Sequence, residues 1–376
     1  SRVLADGPAL GITAIVGAAT AAQLPGECKA VVAVAPGTGT TVTFTATGET
    51  VSDVRADGID RDHAADLARG LAPVQDSSAA SASADVPRRV LLLDLLQLRK
   101  PTAELITQRW QRHATLGDLA APIGAGAAGP VSIDLRRDGP HGLTAGTTGA
   151  GKSELLQSMI GAFAATYPAS RLTFVLIDYK GGAAFKDCVD LPHTVGFFTD
   201  LDPHLARRAL ISLNAELRRR EHILREHGAK DIIEMEQRHP DEAPANLFLI
   251  IDEFAFLKKE VPEFVAGIID IAQRGRSLGV HLMLATQRPT GVIDDNIRAN
   301  TNLRIALRVA DEGDSVDILD RPDAARIPKS LPGRCLVRTG HSDVTVMQSA
   351  YANARSSGAN AQRQPTTAVL APPGSG

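Results

Sequence analysis

Short apolar runs alternate with longer amphipathic segments along the chain beyond residue 85. Short runs rich in Val, Ile, Leu and Phe are typical of buried strands, whereas apolar residues spaced three and four positions apart indicate a helix. The predicted strands are 142–145, 172–177, 247–251, 280–285, 304–309 and 335–338, and the predicted helices are 153–165, 203–227 and 261–275. Buried strands that alternate with helices predict an α/β fold, with a mostly parallel sheet covered by helices on both faces.

Two polar segments predict the domain organisation. Residues 77–84 are all Ser or Ala, and residues 356–376 are rich in Gln, Thr, Pro and Gly. Neither segment has the apolar residues needed for a packed element, so we expect a linker and a disordered tail. The main domain is therefore predicted at 85–355, preceded by a smaller α/β region at 1–76.

The first region carries a pattern found again later in the chain. Residues 10–17 resemble residues 278–285, and each segment is followed about twenty residues on by another apolar strand. If this is a true repeat, residues 1–76 are the C-terminal part of an upstream, degenerate domain related to the one at 85–355. Chance likeness is the alternative, because one pair of units is weak evidence for a repeat.

The bulk composition excludes several classes of protein. With 44% hydrophobic and 22% charged residues, the chain has the composition of a globular protein. The formal charge of −3 makes a nucleic-acid partner unlikely on charge grounds, although a local basic patch stays open. Three widely spaced cysteines argue against a disulfide framework or a zinc site. We find neither a spanning apolar run nor a secretion leader, and the Ser1 start indicates a fragment of something longer.

The most specific motif lies between the first strand and the first helix of the main domain. It fills the pattern G-x-x-x-x-G-K-[ST] with Gly146, Thr147, Thr148, Gly149, Ala150, Gly151, Lys152 and Ser153. In such a loop, backbone N–H groups face phosphates, the lysine supplies a cation, and the Ser hydroxyl is offered to Mg²⁺. The positive end of the following helix dipole attracts the same anion. A Gly/Ser linker is the alternative, but the strand and helix on either side favour a phosphate-binding loop.

A second motif narrows the chemistry. The apolar run 247–251 is followed by Asp252 and Glu253, which predicts a strand that delivers two carboxylates to the edge where ligands of open α/β sheets bind. Asp252 would hold Mg²⁺ beside Ser153, and Glu253 would polarise the attacking water. Two surface acids at the end of a strand are the alternative.

Three further features fit a site of ATP hydrolysis. Gln287 follows the strand 280–285 and could sense the γ-phosphate, although an ordinary polar loop residue is an equal alternative. Arg276, or its neighbour Arg274, could act as an arginine finger toward an adjacent subunit, with a solvated helix end as the alternative. The segment 178–182 also follows a strand, and a plain glycine-containing turn is its alternative.

Two further sets of polar residues do not indicate a ligand-binding site. The arginines of 207–225 alternate with glutamates at helical spacing, which favours a salt-bridged solvent face over a nucleic-acid surface. No metal-binding spacing such as H-E-x-x-H occurs among His193, His204, His222, His227 and His239.

These motifs, and their order along the chain, resemble those of the FtsK/SpoIIIE-type ATPases, and among them the EssC/EccC ATPases of type VII secretion systems. The resemblance covers about residues 65 to 350 and rests on HGL at 141–143, AGTTGAGKSE at 145–154, LIDYKGG at 176–182, LPH at 191–193, NAEL at 214–217, IIDEF at 250–254, GRSLGVH at 275–281 and LATQRP at 284–289.

This resemblance implies a RecA-like P-loop fold that binds ATP and Mg²⁺, with Glu154 added to the nucleotide-binding loop. It implies activation by Asp252 and Glu253, sensing by Gln287 and a finger at Arg276. The implied partners are neighbouring ATPase modules in a hexamer, membrane components of the secretion system, and small helical proteins exported from the cytoplasmic side of the membrane.

Two other functions stay open. A DNA translocase shares the motor residues, but it would need a basic pore loop and usually a DNA-reading domain. A nucleotide-binding assembly module would not hydrolyse, and Glu253 argues against it.

Overall fold

The computed structural model describes residues 16–25, 28–35, 39–54, 62–63, 65–66, 86–114, 117–178, 184–199, 203–289, 291, 295–340 and 344–352. The chain forms two compact units, residues 1–75 and 76–376, which are considered separately. Most of the proposed repeat segment, the predicted linker at 77–84, residues 179–182 and the predicted tail at 356–376 lie outside the described residues.

The first unit contains a three-stranded antiparallel sheet. Its strands, in spatial order, are β1 (Ala30–Ala35), β2 (Gly39–Phe44) and β3 (Thr50–Val54). Val32 lies opposite Val42, and Val34 lies opposite Thr40, so these four side chains share one face of the sheet. Val32 and Val34 are 58% and 72% exposed. Kinship of this unit with an ATPase domain stays a prediction.

The second unit is built on one large sheet. Its strands are β4 (Val90–Leu91), β5 (Ala120–Gly126), β6 (Gly129–Asp134), β7 (His141–Ala145), β8 (Leu172–Asp178), β9 (Thr194–Thr199), β10 (Asn246–Asp252), β11 (Val280–Thr286), β12 (Leu303–Leu307), β13 (Arg334–Thr339) and β14 (Val344–Tyr351).

The sheet has a parallel part and an antiparallel part. The spatial order is β6-β5-β14-β13-β12-β7-β11-β10-β8-β9, with β4 paired to β14. All pairings from β12 to β9 are parallel, and those from β6 to β12 are antiparallel. The phosphate-loop strand β7 therefore lies inside the parallel part, with a neighbour on each side.

Helices cover both faces of this sheet. They are α1 (Leu92–Leu95), α2 (Ala103–His113), α3 (Lys152–Thr166), α4 (Pro203–Glu226), α5 (Ile232–Arg238), α6 (Phe254–Glu260), α7 (Pro262–Gly275), α8 (Asp295–Asn300) and α9 (Glu312–Leu319). Short 3₁₀ turns lie at Ala21–Gln23, Lys186–Cys188, Arg276–Leu278 and Asp323–Arg326. No helix in the described part of the chain is long and apolar enough to cross a membrane.

Alternation along the strands divides the core into two layers. In β10, Phe248 and Ile250 face the cluster that contains α3, whereas Leu249 and Ile251 face the cluster that contains α7. Successive side chains of a strand point to opposite faces, so a continuous apolar run fills both layers. This confirms the predicted α/β fold with a mostly parallel sheet and helices on its faces.

The strand predictions differ from the structure at several places. The predicted strand 304–309 ends at Leu307, because the Arg308 carbonyl accepts a hydrogen bond from the backbone of Thr147 instead of continuing the sheet. The strands β4, β5, β6, β9 and β14 were not predicted. In β5, Pro122, Gly124 and Gly126 interrupt the apolar pattern.

Candidate nucleotide-binding site

The predicted site residues follow three adjacent parallel strands. In the sheet, Ala145 at the end of β7 lies opposite Thr286 at the end of β11, and β10 pairs with the other side of β11. The carboxyl ends of these strands meet at one edge. The structure therefore brings the phosphate loop, the Asp252–Glu253 pair and Gln287 together.

Glycines shape the phosphate loop. Gly149 and Gly151 have φ angles of 77° and 98°, in a region that favours glycine. The loop turns through a hydrogen bond of 3.0 Å from the Ala150 N–H to the Thr147 carbonyl. Thr148 and Gly149 are exposed at the tip, whereas Gly146 is buried at the base. The loop thus presents its backbone to solvent directly before α3 begins at Lys152.

The carboxyl ends of two neighbouring strands fix the start of this loop. The Gly146 N–H donates to the Thr286 carbonyl at 3.2 Å, and the Thr147 N–H donates to the Arg308 carbonyl at 2.9 Å. The Thr147 hydroxyl donates to the same Arg308 oxygen at 3.1 Å. Backbone anchoring of this kind holds the loop in shape without using the N–H groups at its tip.

A second glycine, Gly333, packs against the loop from far along the chain. Its N–H donates to the Ala150 carbonyl at 2.8 Å, and a Cβ placed on Gly151 would approach the Gly333 nitrogen to 2.8 Å. Gly333 has a φ of 81°. The glycine at 151 is therefore required by close backbone packing as well as by its own φ angle.

Lys152 and Asp252 form a buried ion pair. The Lys152 Nζ contacts Asp252 Oδ1 directly, and both side chains are buried at the junction of α3 and β10. A buried charge is tolerated when an opposite charge compensates it. The pair therefore keeps the lysine at the base of the loop.

Glu253 occupies an unusual backbone conformation. Its φ and ψ are 63° and 56°, a left-handed conformation that is strained for a residue with a long side chain. Its carboxylate is buried and accepts hydrogen bonds from the Gln287 N–H at 3.3 Å and the Thr286 hydroxyl at 3.4 Å. Strain of this kind is found at functional sites when surrounding contacts hold it in place.

Gln287 links the end of β11 to the tip of the phosphate loop. Its side-chain Oε1 accepts a hydrogen bond of 3.1 Å from the Thr148 hydroxyl, while its N–H donates to Glu253. A single residue therefore contacts both the loop and the second carboxylate, which is the position expected of a residue that senses the γ-phosphate.

Arg308 also lies at this edge, and the sequence analysis did not identify it as a candidate site residue. It follows β12, the strand beside β7, and its half-buried side chain makes no hydrogen bond or ion pair with the described residues. The predicted strand 304–309 placed Arg308 within the sheet. The signal that could have identified it is its position after an apolar run, the same position that identified Asp252 and Gln287.

Asp178 ends the next strand, β8. Its buried carboxylate accepts a hydrogen bond of 2.8 Å from the Ala184 N–H, across the interval that contains residues 179–182. In the described residues this aspartate therefore holds the ends of a connecting segment together.

Arg276 lies at the opposite edge of the sheet. It follows α7 and precedes β11, so it is at the amino end of the parallel strands, beside His141 at the start of β7. Its exposed side chain makes no hydrogen bond or ion pair within the described ranges and borders a cavity of about 450 Å³. Arg274, in contrast, donates to Asp270 at 2.6 Å and to Asn214 at 2.9 Å. The structure does not bring Arg276 to the phosphate loop of its own chain.

Two buried histidines accompany Arg276 at the amino edge. Burial lowers the pKa of His141 to about 4, opposed by a hydrogen bond to the Ala272 carbonyl and reinforced by the charge of Arg276. Burial also lowers the pKa of His281 to about 3. Both imidazoles are therefore neutral near pH 7.

The residues at the carboxyl edge fit a magnesium nucleotide. A Cβ at Gly146 or Gly151 would press into Leu307 or Gly333, so these two glycines keep the backbone close-packed around the cradle. Ser153 lies in the first turn of α3 and Asp252 at the end of β10, which supplies the hydroxyl and carboxylate oxygens that Mg²⁺ prefers.

The sheet order and the phosphate loop together define a P-loop nucleotide-binding protein. Residues 105–334 match the model of the FtsK/SpoIIIE family, and the chain belongs to that family.

The chain is similar to secretion-system proteins of two bacteria. The chain is 40% identical over 277 residues to the type VII secretion system protein EssC of Staphylococcus aureus (strain NCTC 8325 / PS 47), which covers 72% of this chain and 19% of EssC. It is also 40% identical over 282 residues to the ESX secretion system protein EccC of Geobacillus thermodenitrificans (strain NG80-2), with 72% and 19% coverage. The chain thus spans about a fifth of the length of these relatives.

A solved structure supports the same relationship. The cytoplasmic domain of the Thermomonospora curvata type VII secretion ATPase EccC has a TM-score of 0.64 and 31% sequence identity to this chain. The match covers 70% of this chain and 32% of that one. These findings confirm the prediction of an FtsK/SpoIIIE-type ATPase related to the EssC/EccC proteins.

Proposed function

We propose that this chain is an ATP-binding and ATP-hydrolysing motor module of a type VII protein secretion machine. One observation carries the proposal: Lys152, Asp252, Glu253 and Gln287 meet at the carboxyl ends of three adjacent parallel strands. A binding module without hydrolysis would have no need to hold Glu253 in a strained conformation beside Gln287.

In this proposal the loop and Lys152 bind the nucleotide. The N–H groups of Thr148 and Gly149 at the tip of the loop, those at the start of α3 and the dipole of that helix face the phosphates. The Lys152 ammonium turns from Asp252 to the phosphate oxygens. Ser153 and Asp252 hold Mg²⁺, which neutralises charge on the phosphates when it is bound. The ion pair with Asp252 keeps Lys152 positioned before the nucleotide arrives.

Glu253 and Gln287 act on the attacking water. As a water molecule attacks the γ-phosphate in line, the Glu253 carboxylate accepts a proton from it. The Gln287 amide orients the same water molecule. The Thr148 hydroxyl, which donates to Gln287, couples this amide to the tip of the loop. Hydrolysis then changes the contacts of the sensing residue.

A neighbouring module completes the site. Arg276 is exposed at the amino edge, so it can reach the transition-state charge only in another module that is stacked on that edge. We expect such modules to form a hexamer on the cytoplasmic side of the membrane, bound to membrane components that export small helical proteins. The relationship with type VII secretion proteins supports this assignment.

The activity is tested with Glu253→Gln. This substitution keeps the shape of the side chain but removes the general base, so ATP turnover with Mg²⁺ should fall about a hundredfold or more while ATP binding is kept. Glu260→Gln, at the exposed end of helix α6, which Glu253 precedes, is the matched control and should turn over ATP like the unmodified chain. Equal turnover in Glu253→Gln and the unmodified chain would reject the enzymatic proposal.

The coupling to protein export is tested separately by stimulation. Turnover is measured with a secreted helical-hairpin protein and, in parallel, with duplex DNA. We expect stimulation by the protein only. Stimulation by DNA alone would favour a DNA translocase of the same family.

A further inference from the structure

A cluster of three metal-ligand side chains lies at the ends of two helices, on a different part of the molecule from the phosphate loop. It consists of His227, His239 and Glu242, whose donor atoms all lie within 4.8 Å of one another. His227 follows α4, while His239 and Glu242 follow α5. Twelve positions separate the two histidines in the chain, which is why no short metal-binding motif reveals them.

Local hydrogen bonds place His239 and Glu242 on one turn. The His239 N–H donates to the Met235 carbonyl at 2.7 Å, which ends α5. The Glu242 N–H then donates to the His239 carbonyl at 3.1 Å. These bonds hold the two donors on one rigid turn before β10.

The hydrogen bonds of His227 determine which of its nitrogens can bind a ligand. Its Nδ1 lies 2.9 Å from the Ile223 carbonyl, which can only accept, so Nδ1 carries a hydrogen. In the neutral ring, Nε2 then presents a lone pair. A backbone carbonyl that fixes the tautomer in this way is the usual support of a metal-binding histidine.

The second ring nitrogen of His227 faces a second acceptor. Its Nε2 lies 2.9 Å from Glu242 Oε2. A lone pair and a carboxylate oxygen repel at this distance unless a cation lies between them or beside them. A proton on Nε2 satisfies the pair alone, whereas a metal ion satisfies the pair and also uses the third donor.

His239, the third residue of the cluster, lies close to His227. The rings of His227 and His239 have centroids 4.8 Å apart and an interplanar angle of 60°. Both histidines are half-buried and Glu242 is exposed, so small side-chain rotations can bring the three donors onto one ion. Tetrahedral zinc takes His nitrogen and Glu oxygen at about 2.0–2.2 Å.

We propose that His227, His239 and Glu242 bind a divalent transition-metal ion of the zinc type, with water as the fourth ligand. Two imidazoles and one carboxylate suit Zn²⁺, whereas Mg²⁺ and Ca²⁺ prefer oxygen ligands only. The ion clamps the end of α4 to the turn that precedes β10. It thereby links the longest helix of the described residues to the strand that carries Asp252.

The proposal is tested by titrating Zn²⁺ into the metal-free, nucleotide-free chain at pH 7.5, with calorimetry as the readout. The unmodified chain should bind one equivalent, and His239→Ala should lose that equivalent or bind at least tenfold more weakly. His222→Ala is the matched control, because His222 pairs with Glu226 at 3.2 Å on the same helix but has no third donor. That variant should bind zinc like the unmodified chain.

Two further measurements separate a built site from a simple ion pair. Co²⁺ in place of Zn²⁺ should give the strong visible absorption of tetrahedral coordination, and Glu242→Gln should weaken both metals while the far-UV circular dichroism is unchanged. Absence of stoichiometric zinc binding in the unmodified chain would overturn the proposal, as would equal binding by His239→Ala and His222→Ala.

Discussion

The two edges of the parallel sheet carry opposite arrangements of charge. At the carboxyl edge, Lys152 is paired with Asp252, and Glu253 accepts hydrogen bonds from its neighbours. At the amino edge, Arg276 extends into solvent beside two buried, neutral histidines. One edge has the candidate nucleotide-binding site, and the other has a cation without an ion-pair partner among the described residues.

This difference supports the proposed contact between modules. A residue at one edge can serve the site at the other edge only between chains, because both edges belong to one rigid sheet. Such a head-to-tail contact joins two different surfaces, and a closed ring satisfies every copy. The asymmetry therefore favours an assembly in which each site borrows an arginine.

The largest effect is expected from Lys152→Ala. The variant loses the phosphate-binding cation, so ATP turnover should fall to background and ATP affinity by on the order of a hundredfold. It also leaves Asp252 buried without this cation, which should lower the free energy of unfolding by about 3 kcal/mol. Calorimetry with ATP and urea unfolding measure the two effects.

A double variant separates these two effects. Lys152→Ala with Asp252→Asn should recover stability but not ATP affinity, because it removes the uncompensated charge. Exposed Lys259→Ala is the control and should match the unmodified chain. Normal ATP affinity in Lys152→Ala would contradict the role of the loop.

Next in size is the effect of Arg276→Ala. ATP binding should be unchanged, while turnover of the assembled protein should fall by about a hundredfold or more. A mixture of Arg276→Ala with Lys152→Ala chains should exceed the summed activity of both, because one intact site then meets one intact arginine. Coupled ATPase assays over a range of protein concentrations measure this recovery.

Arg274→Ala is the control for this experiment, because Arg274 is held by Asp270 and Asn214. It should leave turnover nearly unchanged. The prediction would be contradicted if the mixture recovered no activity and Arg276→Ala were equally impaired in ATP turnover as a dilute monomer. In that case Arg276 would not act on the site of another chain.

Acid should lower the stability of the fold through a buried histidine at the amino edge, with a smaller effect than the substitutions above. Burial lowers the pKa of His141 to about 4, below the value of about 6.5 in the unfolded chain. The unfolded state therefore binds more protons, and stability present above pH 6.5 is lost as the pH falls toward 4. His141 alone accounts for on the order of 3 kcal/mol of this loss.

Urea unfolding of His141→Gln from pH 7 to pH 4 checks the acid effect. The variant should show a flatter dependence of unfolding free energy on pH, whereas exposed His204→Gln should keep the original slope. If both variants kept that slope, protonation of His141 would not limit acid stability.

The smallest effect concerns the support of the carboxyl edge. A Cβ on Gly333 would lie 2.6 Å from Gln348 Nε2 and 2.7 Å from Ser349 Oγ. Gly340, with a φ of 90°, has open space around it, so Gly340→Ala carries the backbone strain alone. Gly333→Ala should therefore be less stable than Gly340→Ala by about 1 kcal/mol, and only Gly333→Ala should also weaken ATP binding.

Urea unfolding and calorimetry with ATP compare these two glycine variants. Equal ATP affinities in both would show that Gly333 does not shape the loop.

Much of the parallel sheet follows from local patterns. The predicted strand 247–251 extends by one residue at each end, and the predicted strand 280–285 by one residue at its end. Apolar runs report burial on both faces, and the motif spacing indicates which strands end in polar residues. The same reasoning placed Asp252, Glu253 and Gln287 at one edge.

Contacts between distant segments could not be predicted. The hydrogen bonds of Arg308 and Gly333 to the phosphate loop join residues more than 150 positions apart in the chain. Periodicity describes one element at a time and carries no information about which elements meet. The approach of His227 to His239 is another contact of this kind.

The contact of Gly333 with Ala150 has a consequence for biosynthesis. The segment that supports the phosphate loop is translated about 180 residues after the loop itself. Because chains emerge from the ribosome N-terminus first, β7 and α3 are exposed long before Gly333 is available. We therefore expect the phosphate loop of a nascent chain to gain this support only after the segment around Gly333 has been made.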